Sequence, residues 1–281
     1  MTYRWWTQAS VDALLAEDAP YGDLTTESLG LTARRARLSM SMRADATLCG
    51  VELAQELFRT AGAPADITAA SGARVPAGET FLMAEGEAGP IFRAWKVAQT
   101  LVEYLTGIST LTAGIVAAAR AVNPDVAVVT TRKTLPGAKA QMIAAIRAGG
   151  AFPHRLGLSE TLLLFPEHQA FLSGGAAAGV EALRRAAPEK KVVVEVKTLE
   201  EVAHVLAARP DVLQCEKMTP EEIAAAARLV AERAPQTKVA AAGGVNLSNA
   251  AAYAAAGAHV LVTSAPYWAK PADVKVVITP A

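Results

Sequence analysis

The sequence describes a mid-sized chain without net charge. Of its 281 residues 52% are hydrophobic, so it can bury the core of one large domain or two smaller ones without disulfide bonds. Twenty-seven basic residues balance twenty-seven acidic ones, so no overall field favours nucleic acid or an anionic membrane, and any anion site must be local.

The cysteines and the first residues predict a cytoplasmic protein. Cys49 and Cys215 lie far apart, one before a predicted helix and one in a predicted buried strand, so we expect two free thiols. Residues 1–20 lack the basic start, apolar centre and small-residue cleavage site of a secretory signal. No uncharged apolar run approaches the ~20 residues of a membrane span.

The first hundred residues predict a mixture of strands and helices. Residues 36–48 alternate apolar and polar side chains, as a strand with one wet face does. Residues 51–62 predict a helix that ends at Gly62, and residues 78–86 predict another strand. Residues 89–105 predict a helix, because a proline stands near its first turn and apolar residues recur at helical spacing.

A repeated pattern begins at residue 126. Short apolar runs alternate there with alanine-rich helical stretches, and the runs are VAVVT, TLLLF, KVVVEV, DVLQCE, KVAAAGG and HVLVTS. Such runs are typical of a parallel sheet that is buried on both faces. Their spacing of roughly 20 to 25 residues fits either a doubly wound sheet or a (β/α) barrel.

Charged residues, small polar residues and glycines collect where these runs end. They are Arg132, Lys133, His168, Glu195, Lys197, Glu216, Lys217, Gly243, Gly244 and Ser264. The carboxyl ends of parallel barrel strands meet at one rim, where barrel enzymes have their active sites. The pattern therefore predicts an active site built from several strand ends.

Two cationic pairs and two acids predict the chemistry of that rim. The guanidinium and ammonium of neighbouring residues 132 and 133 suit a ligand with several negative oxygens, although solvated loop cations are the alternative. His154 and Arg155 follow two glycines that end a helix, and together could orient one anionic or carbonyl group. Glu195 and Glu216 end successive runs, so they could hold hydrated Mg²⁺ or stabilise a developing cation. Ion pairing of these acids with nearby lysines is the alternative.

The double glycine Gly243–Gly244 stands between a predicted strand and a predicted helix. Backbone N–H groups at such a position can approach a phosphate closely. Together with the cations and acids, it suits a substrate with a phosphate at one end and a pyrophosphate at the other. Phosphoribosyl pyrophosphate is such a molecule.

These motifs resemble those of quinolinate phosphoribosyltransferases over nearly the whole chain. The segments YGDLTTESL, TGISTLTAGIV, TRKTLPG, HRLGLSETLLLF, VVVEVKTLEEV and AAAGGVNLSNAAAYAAAG occur in the family's order and at similar spacings. The spellings PYGDLTT and HRLGLSETLLLF look most like a paralogous branch encoded among molybdate-transport genes.

The resemblance implies an α/β fold in which an N-terminal α/β sandwich is joined to an open (β/α) barrel. Residues 1–108 would form the sandwich, 109–268 the barrel, and 269–281 would return to the sandwich. It further implies a homodimer or larger homo-oligomer in which one subunit's sandwich caps the other's barrel. The substrates would be phosphoribosyl pyrophosphate and a nitrogen heterocycle, with Mg²⁺ as cofactor and no nucleic-acid or membrane partner.

The resemblance also assigns roles to rim residues. Arg132, His154 and Arg155 would face the ring substrate. Lys133, Glu195 and Glu216 would surround the pyrophosphate and the metal. Gly243, Gly244 and Ser264 would surround the 5′-phosphate. A ring nitrogen would attack C1 as pyrophosphate leaves through an oxocarbenium-like state. Lys133 and the metal would stabilise the leaving charge, and Glu195 the positive charge on the ribose.

Departures from the family pattern affect ring recognition. Where quinolinate enzymes have an arginine and a lysine of the dicarboxylate clamp, this chain has Tyr104 and Phe165. Where the family pattern has an Asp–Asn pair, this chain has Glu216 and Lys217, and where it has a serine, this chain has Ala242. We therefore expect retained phosphoribosyl binding and altered ring recognition, with the aromatic residues and Lys217 among those that contact substrate.

Other functions are compatible with parts of the sequence. One is quinolinate phosphoribosyltransferase itself, with other residues replacing the lost clamp. Another is a non-catalytic protein that binds an oxyanion such as molybdate. A Schiff-base aldolase that uses Lys217 at a strand end would ignore the other motifs.

Overall fold

The structure, a computed structural model, describes residues 5–281, and this part of the chain forms two compact units. The first unit contains the chain up to Ala113 together with Thr134–Gly150 and Pro266–Ala281. The second unit contains Gly114–Lys133 and Ala151–Ala265. Residues 1–4 of the predicted sandwich lie outside the described residues, and the predicted domain boundaries stay predictions.

Helices and strands are interspersed along the whole chain. Up to residue 120 they are α1 Gln8–Asp18, α2 Leu24–Ser28, β1 Arg35–Met42, β2 Ala46–Thr47, α3 Val51–Ala61, β3 Ala65–Ile67, β4 Arg74–Val75, β5 Thr80–Glu87 and α4 Ala88–Arg120. Beyond it they are β6 Ala127–Thr130, α5 Lys139–Ala148, β7 Phe152–Pro153, β8 Leu162–Leu164, α6 Pro166–Gln169, α7 Gly175–Ala186, β9 Val192–Val196, α8 Leu199–Val205, β10 Val212–Glu216, α9 Pro220–Arg233, β11 Lys238–Ala242, α10 Ala250–Ala255, β12 Val260–Thr263 and β13 Val274–Pro280.

An antiparallel sheet organises the first unit. Its strand order is β13-β1-β5-β3, so the last strand of the chain pairs with the first. The predicted alternation in β1 is present, because Leu38, Met40 and Met42 are fully buried while neighbouring side chains are not. The predicted strand ends at Met42 rather than residue 48, and residues 46–47 form β2. Helix α3 ends as predicted at Gly62, whose φ of 102° is left-handed.

Helix α4 continues fifteen residues beyond its predicted end at residue 105. Its polar segment stays helical because hydroxyl groups bind distant backbone: Thr106 accepts from Cys49 N–H at 3.1 Å, and Ser109 donates to the Thr47 carbonyl. By length and composition α4 could cross a membrane, with a mean hydropathy of 1.4 over an 18-residue window. Half of that window is buried inside the protein, which is typical of a core helix.

A parallel sheet organises the second unit. Within the described residues it has seven strands in the order β7-β6-β12-β11-β10-β9-β8. Apart from β7 these are the predicted apolar runs, and the order follows the chain around an open barrel with β7 and β8 as its edges. The predicted fold class is therefore confirmed. We call the sheet face that carries Ala240, Ala242 and Val262 the inner face.

A glycine in α4 allows close approach of the chain near its end. A Cβ on Gly107 would overlap the backbone carbonyl of Lys270 and contact Pro271. We expect Gly107→Ala to lower the free energy of unfolding by about 1–3 kcal/mol, despite the better helix propensity of alanine. Urea denaturation measures this.

The matched control is Gly157→Ala, where nothing lies within 4 Å of the added Cβ. It should unfold within about 0.5 kcal/mol of the unaltered protein. Equal stability of the two variants would contradict the close approach at Gly107.

Candidate active site at the carboxyl ends of the parallel strands

The structure places the predicted rim residues of the second unit at consecutive strand ends. At the carboxyl ends of β6, β7, β8, β9, β10, β11 and β12 lie, in that order, Arg132 and Lys133; His154 and Arg155; Phe165; Glu195; Glu216; Gly243 and Gly244; Ser264, with Glu195 and Glu216 still within their strands. Tyr104 belongs instead to the first unit, on α4, and is 58% exposed. Residues that are spread over 133 positions of the sequence (132–264) thus lie along one edge of one sheet.

Two acidic side chains share the inner face near this edge. Glu195 in β9 lies directly opposite Gln214 in β10, and Glu216 follows two residues later on the same face. The Gln214 Nε2 donates to the Glu195 Oε2 at 3.0 Å. Burial, and then the negative charge of Glu216, raise the pKa of Glu195, while Gln214 and Lys197 act against this rise. The charge of Glu216 therefore acts on the titration of Glu195.

Neither acid is within ion-pair distance of a lysine among the described residues, and carboxylates are among the ligands that Mg²⁺ uses. Among residues 5–281, no ion pair within 4.0 Å joins Glu195 or Glu216 to Lys197 or Lys217. No group of three or more His, Cys, Asp or Glu residues in this described range is arranged to hold a metal by itself. Mg²⁺ usually takes one or two carboxylates and completes its shell with water and substrate phosphates.

The first glycine after β11 is required by its neighbours. A Cβ on Gly243 would lie 2.5 Å from Glu216 Oε1 and 2.6 Å from Lys217 Cγ, and its φ of 81° is left-handed. Lys217 also has a left-handed φ of 59°, which is uncommon for a residue with a side chain. The ends of β10 and β11 are thus packed tightly against each other.

The second glycine has open space where a side chain would stand. No atom lies within 4 Å of a Cβ on Gly244. Its carbonyl accepts from Asn246 Nδ2 at 2.9 Å and Asn249 Nδ2 at 3.1 Å, which fixes the loop. Helix α10 has only six residues, so an anion here would depend on loop N–H groups rather than on a long helix dipole.

A hydroxyl pair joins the ends of β12 and β6. The Ser264 and Thr131 oxygens are 2.8 Å apart. Thr131 also accepts from the backbone N–H of Lys133 at 3.4 Å. The predicted phosphate-side serine therefore lies beside the loop that carries the cationic pair.

A mostly apolar cavity of about 780 Å³ lies beside edge strand β8. Polar, aromatic and leucine side chains line it, and they include Arg132, Arg155, Thr161, Phe165, Glu167, His168, Leu158, Leu162 and Phe171. The cavity therefore combines guanidinium groups with flat and aliphatic walls.

Two rings and a guanidinium form one wall of this cavity. The Phe165 and His168 rings stack, with centroids 5.8 Å apart and planes at 28°. The Phe165 N–H donates to His168 Nδ1 at 3.1 Å, so a neutral His168 carries its proton on Nε2. The Arg155 guanidinium lies 5.8 Å from the Phe165 ring centroid. Burial, and then the charge of Arg132, lower the pKa of Arg155.

His154 has a different environment from the other residues predicted to face the ring. It is not part of the cavity lining, although Arg132, Arg155 and Phe165 are. Its backbone N–H donates to the Thr130 carbonyl at 2.8 Å. Burial and the charge of Arg155 lower its pKa, so at neutral pH it offers a neutral donor and acceptor rather than a cation.

Several residues at this rim were missed by sequence reasoning. Gln214 precedes Glu216 by two positions, so strand alternation could have placed both on one face. Thr131 adjoins the cationic pair, but its contact with Ser264 depends on β6 pairing with β12. Thr161 lines the cavity from the amino end of β8, outside the rim, and the sequence shows it only as the start of an apolar run.

The coupling between the acids gives a testable pKa change. Because the charge of Glu216 helps to raise the pKa of Glu195, Glu216→Gln should lower the pKa of Glu195. Carbon-13 NMR titration of the side-chain carboxyls measures this directly. Glu167→Gln is the control and should have a smaller effect, since Glu167 is a minor cause of the rise. An unmoved Glu195 titration in Glu216→Gln would contradict the proximity of the two acids.

Comparisons with known proteins agree with the fold and the motifs. The N-terminal domain model of quinolinate phosphoribosyl transferase matches residues 23–106, and the C-terminal domain model matches residues 108–277. The chain is 47% identical over 244 residues to a Rhodobacter capsulatus protein named "Putative pyrophosphorylase ModD", covering 85% of this chain and 92% of that protein. It is 37% identical over 277 residues to a protein of the same name from Escherichia coli O6:H1, covering 98% of both.

A solved structure shows the same fold at low sequence identity. The nicotinate-nucleotide pyrophosphorylase of Ehrlichia chaffeensis superposes with a TM-score of 0.90 at 21% identity, covering 99% of this chain and 100% of that one. Members of the matched family are phosphoribosyltransferases, which confirms the predicted enzyme class. The chain therefore belongs to the quinolinate phosphoribosyl transferase family.

Proposed function

We propose that this protein transfers the phosphoribosyl group of phosphoribosyl pyrophosphate to a nitrogen heterocycle that carries fewer negative charges than quinolinate, and that the reaction requires Mg²⁺. The observation that supports this most is the acid pair Glu195 and Glu216 beside the Gly243–Gly244 loop, on the sheet edge that also carries Arg132. This edge offers groups that suit a phosphate, groups that suit a pyrophosphate with its metal, and groups that suit a ring.

The reaction forms one bond and breaks one. The lone pair of a ring nitrogen attacks C1 of the ribose, and the C1–O bond to pyrophosphate breaks with its electron pair leaving on oxygen. The carboxylate of Glu195 stabilises positive charge that develops on the ribose, and Lys133 offsets charge on the leaving oxygens. Mg²⁺ held by Glu195 and Glu216 would supply the remaining neutralisation of pyrophosphate.

The 5′-phosphate is assigned to the other side of the rim. We assign its binding to the backbone N–H groups of Gly243 and Gly244: Gly244 has nothing within 4 Å of where a Cβ would stand, whereas Gly243 is packed against Glu216 and Lys217. The Ser264 hydroxyl, already paired with Thr131, adds a donor or acceptor there. These groups bind and orient the sugar while the reacting carbon lies nearer the acids.

The ring substrate is assigned to the apolar cavity. Arg132 and Arg155 supply positive charge for one acidic or carbonyl group, and Phe165 supplies a flat face. A charge-assisted hydrogen bond contributes about 1.5 to 3 kcal/mol, so the two lost clamp cations cost a dianionic ring roughly 3 to 6 kcal/mol. A monoanionic or neutral ring is therefore favoured, in a function akin to that of the ModD proteins. Quinolinate phosphoribosyl transfer itself is the alternative.

Assembly and location follow from the family resemblance. We propose a cytoplasmic homodimer or larger homo-oligomer with shared active sites. The exposed Tyr104 of the first unit would then be available to a neighbouring subunit. Sedimentation velocity should give at least a dimer at micromolar concentration, and a monomer would contradict the shared site.

Binding of phosphoribosyl pyrophosphate tests the rim assignment. Arg132→Ala and Glu195→Ala should each weaken its Mg²⁺-dependent binding by at least ten-fold, because each removes a charged contact while leaving the core intact. Calorimetry measures the affinity. Arg185→Ala and Glu181→Ala, from an exposed ion pair on α7, are controls that should bind normally. Unchanged binding in both rim variants would refute the assignment.

Restoring the missing cations tests ring specificity. Tyr104→Arg combined with Phe165→Lys should improve quinolinate binding by at least ten-fold, because two charged donors are regained. Phe165→Leu keeps the wall apolar and serves as the control, with no gain expected. An equal quinolinate affinity in the double variant and the unaltered protein would contradict this explanation.

A further inference from the structure

A buried glutamine interrupts the apolar strand β10. Gln214 is 6% exposed and stands between Leu213 and Cys215, which are both fully buried. In the sheet it lies opposite Glu195 of β9 and Ala240 of β11. Of these two opposite residues only Glu195 has a polar side chain, so an amide buried at this position is stabilised by pairing towards β9.

This amide holds one oxygen of the Glu195 carboxylate. The Gln214 Nε2 donates to Glu195 Oε2 at 3.0 Å, since an ionised carboxylate can only accept. Among residues 5–281, no hydrogen bond or ion pair is formed by the other oxygen, Glu195 Oε1. The two oxygens therefore differ, because one is fixed by the neighbouring strand and the other is left for a ligand.

The difference between the two oxygens affects which cation fits the acid pair. Mg²⁺ requires near-octahedral geometry with ligands at about 2.0–2.1 Å, whereas Ca²⁺ takes about six to eight oxygens and accepts both oxygens of one carboxylate. A carboxylate that has one oxygen engaged in a hydrogen bond offers a single oxygen, which suits Mg²⁺. Glu216 follows Gln214 by two positions on the same face and can supply another oxygen.

We propose that Gln214 is a positioning residue that makes Glu195 a single-oxygen ligand and thereby favours Mg²⁺ over Ca²⁺ at the rim. The amide acts through Glu195 and does not itself touch the cation or the substrate. This inference rests on the proposed function for the presence of a divalent cation at the acid pair. It goes further, because it assigns the choice of cation to a polar residue in an otherwise apolar strand.

The cation preference of substrate binding tests the proposal. Calorimetry gives the affinity for phosphoribosyl pyrophosphate with Mg²⁺ and with Ca²⁺ at one alkaline pH. Gln214→Met keeps an unbranched side chain of similar size without the amide, so Glu195 is free to bind through both oxygens. The ratio of the Mg²⁺ affinity to the Ca²⁺ affinity should fall by about ten-fold, as expected when a hydrogen bond to a charged group is lost. An unchanged ratio would overturn the proposal.

The ratio distinguishes positioning from a purely structural role. A loss of stability, or a change in the charge of Glu195, would weaken binding with both cations alike and leave the ratio as it is. Gln214→Asn keeps a buried amide that is one methylene shorter and no longer reaches Oε2, so it should lower the ratio as well. Gln55→Met is the matched control, because it removes an amide that donates to the Ala65 carbonyl at 2.8 Å in the first unit. It should leave the ratio unchanged.

Titration with the cations alone separates this inference from the proposed function. The carbon-13 shift of the Glu195 carboxyl reports binding of Mg²⁺ or Ca²⁺ at fixed pH without any substrate. If phosphoribosyl pyrophosphate binds with Mg²⁺ and Gln214→Met keeps the ratio, the role of Gln214 is wrong and the proposed function stands. If phosphoribosyl pyrophosphate does not bind, but Gln214→Met lowers the preference of Glu195 for Mg²⁺ alone, the role of Gln214 stands and the proposed transfer is wrong. If neither the substrate nor a cation binds, both are wrong.

Discussion

The in-register parallel pairing of β9, β10 and β11 is the constraint on which the rest of the site depends. It sets Glu195 opposite Gln214, and Glu216 opposite Ala242, so that two acids from different strands share one face. A shift of one residue in either pair would turn one acid to the other face of the sheet. The long apolar runs hold the register, because their side chains are buried on both faces.

Close packing at the strand ends follows from that register. Gly243 leaves room for the Glu216 carboxylate, and Lys217 adopts a left-handed backbone beside it. Burial, and then the nearby charge of Glu216, raise the pKa of Glu195. On the ring side, Arg155 and Arg132 are held near each other in the same way, as expected of a site that awaits an anion. The rim thus has two negative carboxylates at one place and two positive guanidinium groups at another.

The strands were largely predictable, because their apolar runs are long enough to be distinct from loops. The two-residue β7 was missed since Phe152–Pro153 has no periodicity to detect. The end of α4 was placed too early because Thr106 and Ser109 are polar, and their backbone partners lie more than fifty residues away in sequence. The rim could be predicted as a set of strand ends. The contact between Gln214 and Glu195 depends on register and strand order, which the sequence alone does not contain.

The central claim is phosphoribosyl transfer to a ring with fewer charges than quinolinate. The most direct test is an assay of pyrophosphate release. The protein is incubated with phosphoribosyl pyrophosphate, Mg²⁺ and one of a panel of neutral, monocarboxylate and dicarboxylate nitrogen heterocycles. We expect a neutral or monocarboxylate ring to give the highest kcat/KM and quinolinate to be a poor substrate. No pyrophosphate release with any ring, or quinolinate turnover at ~10⁴ M⁻¹s⁻¹ or more, would contradict it.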